Sequence, residues 1–310
     1  MRSIIPFIIS LVCLYLFYRG IDFSRFLETL SSVSLIYILL ASLLLYISVY
    51  LRAIRWQILL KKKSDSYKLF KIQMIGYFGN NILPFKAGEI LKSFLLGQNQ
   101  KISKSYVLGT IVIERFLDVF MLLLMGIICV IISPVKDVGG ISLYFLLLII
   151  LGLLISFFII LFIMKGFIKI RLIENFLTQF VSSYSNFNVT QLIKVNILGF
   201  IIWIIYWINV ELIFFAFDIQ TNFYESLVVL IVASIINSVP FFPGAIGIFH
   251  FGVNGTLLAF SSMEDISVEA FTTILHGYGY ILLTVIGLYY FVIDKKIGIK
   301  QLINFKSIKD

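Results

Sequence analysis

Four stretches of the chain, 29–51, 141–164, 226–263 and 270–293, contain no Lys, Arg, Asp or Glu. About 20 apolar residues wound as a helix cross the ~30 Å hydrocarbon core of a bilayer, so each stretch is long enough to span one. The runs are continuous and do not alternate with polar positions, which excludes a membrane-spanning β-barrel. The pattern predicts full spans over about 3–18, 32–52, 105–132, 141–165, 194–217 and 269–293. Two more apolar segments, about 69–97 and 224–260, are interrupted. The first contains Gly76, Gly79, Asn80, Asn81, Pro84 and Gly88; the second contains Asn237, Pro240, Pro243, Gly244 and Gly247. Such breakers predict broken helices or re-entrant hairpins, which survive at membrane depth only when buried in protein or lining a wet cavity. The fold class is therefore an all-α polytopic membrane protein, with one integral domain over 1–310.

Composition agrees: 60% of residues are apolar and 13% charged, against roughly 45–50% and 25% in a soluble domain. A net charge of +9 raises the question of a nucleic-acid partner, but the basic residues sit in short loops between spans, where they report topology and meet lipid headgroups. Arg52, Arg55, Lys61, Lys62, Lys63, Lys68 and Lys71 follow the second span, Lys101 and Lys104 precede the third, and Lys295, Lys296 and Lys300 follow the last. The opposite loops hold Arg19, Arg25 and Lys136. The positive-inside rule places the basic loops and both termini in the cytoplasm, as in a multi-pass protein of the cell (inner) membrane. The first broken segment then enters and leaves from the cytoplasm. The second, flanked by Asp218, Glu225, Glu264, Asp265 and Glu269, does so from outside. The stretch Ser3 to Tyr18 resembles a signal-peptide core, but no small-x-small cleavage site follows it, and it is read as an uncleaved span. Cys13 and Cys129 lie in apolar runs and make neither a disulfide framework nor a metal site.

The two broken segments share a pattern. Asn81-Ile82-Leu83-Pro84-Phe85-Lys86-Ala87-Gly88 and Asn237-Ser238-Val239-Pro240-Phe241-Phe242-Pro243-Gly244 both read N-x-x-P-F-x-x-G, offset by 156 residues in a chain of 310. Each half holds three spans and one broken segment, and an odd number of spans inverts the second copy. The sequence thus predicts two inverted repeats, about 1–140 and 141–300. In secondary transporters such breaks mark the substrate site near the midplane.

Charges within the spans are costly and face partners or a cavity. Glu114 and Asp118, four residues apart, share a helix face, and Arg115 can pair with Asp118. Lys86, Glu89 and Lys92 recur every three residues after the first break: the lysines can meet a phosphate, and Glu89 can pair with either or carry a proton. A solvated cytoplasmic arm is the alternative. Arg52, Arg55 and Trp56 read either as a positive-inside anchor with an interfacial aromatic or as a headgroup contact. Trp203 and Trp207 read as packing or lipid-facing bulk. His250 and His276, the two histidines of the chain, can relay protons or fill structural roles. Glu211 is an intramembrane acid with no evident partner and a candidate for coupling. HExxH, CxxC, P-loop and GxSxG motifs are lacking, and no cofactor or metal is implied.

These motifs resemble the lysylphosphatidylglycerol synthetase transmembrane (flippase-like) family. The resemblance rests on Arg52-Ala53-Ile54-Arg55-Trp56, Asn81 to Glu89 with Lys92, Glu114-Arg115-Phe116-Leu117-Asp118 and Pro243-Gly244-Ala245-Ile246-Gly247-Ile248-Phe249. It implies a stand-alone member without the soluble aminoacyl-transfer domain, moving an aminoacylated or glycosylated lipid between leaflets. Lys86 stands where arginine is common, His250 where a glutamate is expected, and His276 where arginine is frequent. The implied contacts for an anionic or zwitterionic headgroup are Arg115, Lys86 and Lys92, with helix ends at Asn81 and Asn237. Gly244 lies on the second arm, and Arg52, Arg55, Glu89, Glu114 and Asp118 complete the candidate set. A lipid-modifying transferase using Glu89 or Asp118 as base, and a cell-envelope scaffold, are the rival readings. Self-association stays open.

Overall fold

The computed structural model describes residues 5–61, 64–100, 102–132, 137–138, 141–142, 188–260 and 265–293. Ten α-helices are described: α1 (Ile5–Tyr18), α2 (Phe23–Ser32), α3 (Leu35–Leu59), α4 (Ser66–Ile82), α5 (Ala87–Gln100), α6 (Lys104–Ile132), α7 (Val189–Ala216), α8 (Phe223–Ser238), α9 (Ile248–Phe260) and α10 (Asp265–Ile293). A two-residue antiparallel pairing, Asp137–Val138 with Ile141–Ser142, is the extended structure among the described residues. Short polar caps start the helices. Asp22 accepts from the Ser24 and Arg25 amides, Asp65 from Lys68, and Asn188 from Gln191, whose side chain returns the bond to the Asn188 amide.

Four of these helices, α3, α6, α7 and α10, are long and apolar enough to cross a bilayer; α1 and α2 together make a fifth, bent by 90°. The protein is therefore a multi-pass membrane protein. The bend between α1 and α2 follows Tyr18, where Gly20 takes a φ of 92°. The predicted span over 141–165 lies outside the described residues. Leu35, Leu39 and Leu43, four residues apart, leave α3 as an exposed aliphatic stripe, and Ile281, Val285 and Val292 do the same on α10. In water such stripes would drive association; in a bilayer they face acyl chains.

Both interrupted segments are hairpins. α4 ends at Leu83, whose extended backbone (φ −98°, ψ 140°) is what a following proline enforces. The chain then passes through left-handed conformations at Phe85 and Lys86 (φ 61° and 50°) before α5 folds back on α4. In the second hairpin, α8 and α9 are joined through a turn of 3₁₀ helix at Pro243–Ala245, with Gly244 and Ala245 left-handed. Non-glycine residues in that region cost of order 1–3 kcal/mol each and persist only where surrounding structure fixes them. The packing supplies this: α3 lies along α7, α4 along α10, and α6 along α8. One apolar core, around Trp56, Phe70, Met74, Leu95 and Ile111, sits beneath the first hairpin. A second, around Phe214, Leu227, Val253 and Phe271, sits beneath the other.

The charge asymmetry predicts an orientation that labelling can test. In a background lacking Cys13 and Cys129, cysteine at Gln98 should react with an impermeant maleimide only from the cytoplasmic side. Cysteine at Glu28 or Gln220 should react only from outside. All three side chains are exposed. Labelling of residue 98 from outside would invert the assignment.

Candidate functional site

Arg52 and Arg55, three apart on α3, and Glu114 and Asp118, four apart on α6, meet in one buried network. Arg52 Nη1 donates to Glu114 Oε1 (3.1 Å) and Asp118 Oδ2 (2.8 Å), while Arg55 Nη2 donates to Glu114 Oε1 (3.2 Å) and Asp118 Oδ1 (2.7 Å). Arg52 Nε also donates to the Tyr206 hydroxyl at 2.6 Å. Arg55 and Glu114 are wholly buried. This corrects the reading of Arg52, Arg55 and Trp56 as an interfacial anchor. The helix runs on to Leu59, so the arginines lie inside it, and Trp56 is buried with its indole N–H on Thr110 Oγ1.

The network continues into the first hairpin. Gln73 Nε2 lies 3.4 Å from both oxygens of Glu114, and Lys92 Nζ donates to Gln73 Oε1 (3.0 Å) and pairs with Glu89 Oε2 (2.5 Å). Asn80 Nδ2 donates to the other Glu89 oxygen at 3.3 Å. Lys92 lies over the Trp56 ring and is buried, so the lysine stripe is not a solvated arm, and Lys92 itself is held within the protein. Lys86 precedes the helix and is half-buried at the cavity edge. Arg115 pairs with Asp118 as expected (Nη1 to Oδ2, 3.4 Å) and lies 3.8 Å from Glu89 and 3.7 Å from Glu114. Its side chain is 40% exposed, against 5% and 0% for Arg52 and Arg55. Arg115 is the cation of this cluster that opens outward. Its Nε and Nη2 carry no hydrogen bond among the described residues. Arg52, Arg55, Arg115 and Lys92 face Glu89, Glu114 and Asp118, which leaves one positive charge in excess before Lys86 is added.

A cavity of about 590 Å³ opens beside this cluster, between the two hairpins. From the first half Arg52, Tyr77, Asn80, Asn81, Lys86, Glu89, Arg115 and Asp118 line it; from the second, Trp203, Tyr206, Asn209, Asn237, Gly244, His276 and Tyr278 do so. The two breaks meet here: the Phe85 and Phe241 rings, equivalent in the shared pattern, lie 6.0 Å apart edge to face. Asn81 Nδ2 donates to Thr284 Oγ1 (2.9 Å) and the Tyr280 carbonyl (3.3 Å), tying the first break to α10. His276 Nε2 donates to the Gly244 carbonyl at 2.8 Å and ties the second break to the same helix. A Cβ at Gly244 would run into the Tyr280 ring.

The remaining candidates fall elsewhere. His250 is not a lining residue; its ring packs 5.0 Å from those of Phe17 and His276. Glu211 does have partners, accepting from the Ser226 hydroxyl and from Thr221 Oγ1 (3.2 Å), and it too stands away from the cavity. Trp207 donates to Ser226 (2.8 Å), whereas Trp203 is a wall of the cavity and not lipid-facing bulk. Sequence reasoning missed Tyr77, Tyr206, Asn209 and Tyr278. Trp203, Tyr206 and Asn209 recur at intervals of three, a polar-edged stripe that an amphipathic reading of the fifth span contains.

A family model described as "Lysylphosphatidylglycerol synthase TM region" matches residues 3–287. The chain belongs to this family. Among similar proteins is a "UPF0104 membrane protein" of Methanothermobacter thermautotrophicus, 25% identical over 283 residues that cover 77% of this chain and 79% of the relative. A second, from Methanocaldococcus jannaschii, is 31% identical over 123 residues, 38% of this chain and 36% of the relative. A third, from Pyrococcus horikoshii, is 32% identical over 117 residues, 36% and 34%. No solved structure matches the chain. The buried charge network and both breaks fall within the residues that carry the family match.

Proposed function

We propose that this protein is a lipid translocase, passing a phosphate-bearing headgroup between leaflets while the lipid's chains stay in the bilayer. The carrying observation is the cavity between the two hairpins, with Arg115 and Lys86 at its edge and a cationic excess behind them. A headgroup phosphate is the anion that a membrane brings to such a place. The packing supports two inverted repeats as the moving parts. Exchange of α3 with α7, α4 with α8, α5 with α9 and α6 with α10 maps the observed neighbours onto one another. The α4–α10 pair becomes α8–α6, α4–α5 becomes α8–α9, and α5–α6 becomes α9–α10. A pseudo-two-fold relation of this kind is the architecture on which rocking-type transporters alternate. Against a transferase, Glu89 and Asp118 are each held by two or more cations or amides, an arrangement suited to holding charge and not to accepting a substrate proton.

Purified protein reconstituted into liposomes should expose fluorescent phospholipid to a membrane-impermeant quencher faster than protein-free vesicles do, with the lipid recovered unaltered. Arg115→Gln should slow this at least about tenfold, on the scale of one lost charged contact of ~1.5–3 kcal/mol, while the protein still inserts and elutes as a single species. Near-normal movement by the variant would reduce Arg115 to an anchor. A covalently changed lipid would favour the transferase.

A further inference from the structure

The α7 wall of the cavity holds polar atoms with no partner among the described residues. Asn209 is 2% exposed, lines the cavity, and neither its Nδ2 nor its Oδ1 is hydrogen-bonded. Trp203, 5% exposed and on the same face of α7, has an unpartnered Nε1. Buried polar atoms are nearly always paired, and leaving one unpaired costs about 1–3 kcal/mol. A ligand that pairs them is therefore favoured in proportion.

The kind of atom left open selects the ligand. The indole N–H and the amide NH₂ require acceptors; the amide oxygen of Asn209 requires a donor. An ammonium only donates, and a quaternary ammonium does neither. A hydroxyl does both. The acids that an ammonium would seek are already taken: Glu89 by Lys92 and Asn80, Asp118 by Arg52 and Arg55. With Lys86 added, the cations of the cluster exceed Glu89, Glu114 and Asp118 by two, which favours a headgroup of net negative charge over a zwitterion.

We infer that the cavity takes a hydroxyl-rich phosphodiester headgroup, glycerol- or sugar-like, with its phosphate at Arg115 and Lys86 and its hydroxyls on Asn209 and Trp203. It does not take an aminoacyl or choline headgroup. This rests on the translocase reading and names the substrate class for it.

The test compares four short-chain lipids by tryptophan fluorescence on the full-length protein in nanodiscs. They are dioctanoyl phosphatidylglycerol, phosphatidylmethanol (same charge, no hydroxyl), phosphatidylcholine and lysylphosphatidylglycerol. Phosphatidylglycerol should bind about tenfold tighter than phosphatidylmethanol, as one or two net hydrogen bonds allow, and tighter still than the other two. Asn209→Leu should bring the ratio of phosphatidylglycerol to phosphatidylmethanol to within about twofold, and Trp203→Phe, which keeps the ring and removes the N–H, should narrow it. Water-soluble glycerophosphoglycerol should not compete at lipid concentrations; competition by it at equal affinity would assign the site to a free phosphodiester. Equal binding of phosphatidylmethanol, or tighter binding of lysylphosphatidylglycerol, overturns the hydroxyl assignment and leaves the translocase standing. Failure to bind or move any of the four overturns both.

Discussion

Arg55→Leu is expected to yield protein that inserts poorly and unfolds in detergent well below the wild-type melting temperature. The side chain is fully buried and bridges Glu114 and Asp118. Removing it leaves Arg52 and the more exposed Arg115 to share both carboxylates, in surroundings where breaking a buried pair costs about 3–5 kcal/mol. Much of that cost is the uncompensated charge left behind and not the lost bond. Arg55→Leu with Glu114→Gln, which restores the charge balance, should therefore recover part of the lost melting temperature. Thermal unfolding followed by size-exclusion profile measures both. A single variant as stable as wild type would mean that Arg52 and Arg115 suffice to hold the acids.

The second large effect is steric. Gly88→Leu should open the first hairpin. A Cβ at this position would collide with the Gly76 carbonyl and with the backbone amide and side chain of Asn80. Across the same contact, a Cβ at Gly79 would come within 2.9 Å of Gly88 Cα. Small residues on both arms let the two backbones touch, the device by which helices associate where burial from water supplies no drive. Overpacking of this kind costs about 1–3 kcal/mol or more, and here it displaces Asn80 from Glu89. Gly88→Leu should abolish lipid movement and lower the melting temperature, and Gly88→Ala should do so less. Gly244→Leu acts differently: it meets the Tyr280 ring and a left-handed backbone, so its main loss should be in movement. Unimpaired movement by Gly88→Leu would show that the hairpin tip takes no part.

Much of this architecture is legible in the sequence because its causes are local. Pro84 and Pro243 lack an amide hydrogen and fix φ, so the interruptions at 83–86 and 239–247 follow from the residues themselves. The Glu114–Asp118 face and the Arg115–Asp118 pair follow from helical spacing. What escaped was set by distant residues. Arg52 and Arg55 look like an interfacial anchor because a span usually ends at its first basic residues; the acids that let α3 continue lie some sixty positions away. Glu211 looks unpartnered because its donors, Thr221 and Ser226, lie beyond the end of its own helix. Asn209 and Trp203 carry no motif, and only the cavity gives them a role.

The division of labour between the halves has a consequence for biosynthesis. Every charged member of the buried network, from Arg52 to Asp118, belongs to α3, α5 and α6. These helices leave the ribosome before α7 begins, and three arginines entering a membrane unpaired would each carry a penalty of a few kcal/mol. The N-terminal half brings its own counter-charges, so each of the three arginines can be paired with an acid while the remainder is still being translated. The cavity cannot form at that stage, because Trp203, Asn209, Asn237 and His276 do not yet exist. A ribosome-bound intermediate halted after α6 should thus sit stably in the bilayer with its arginines paired and no place for a lipid.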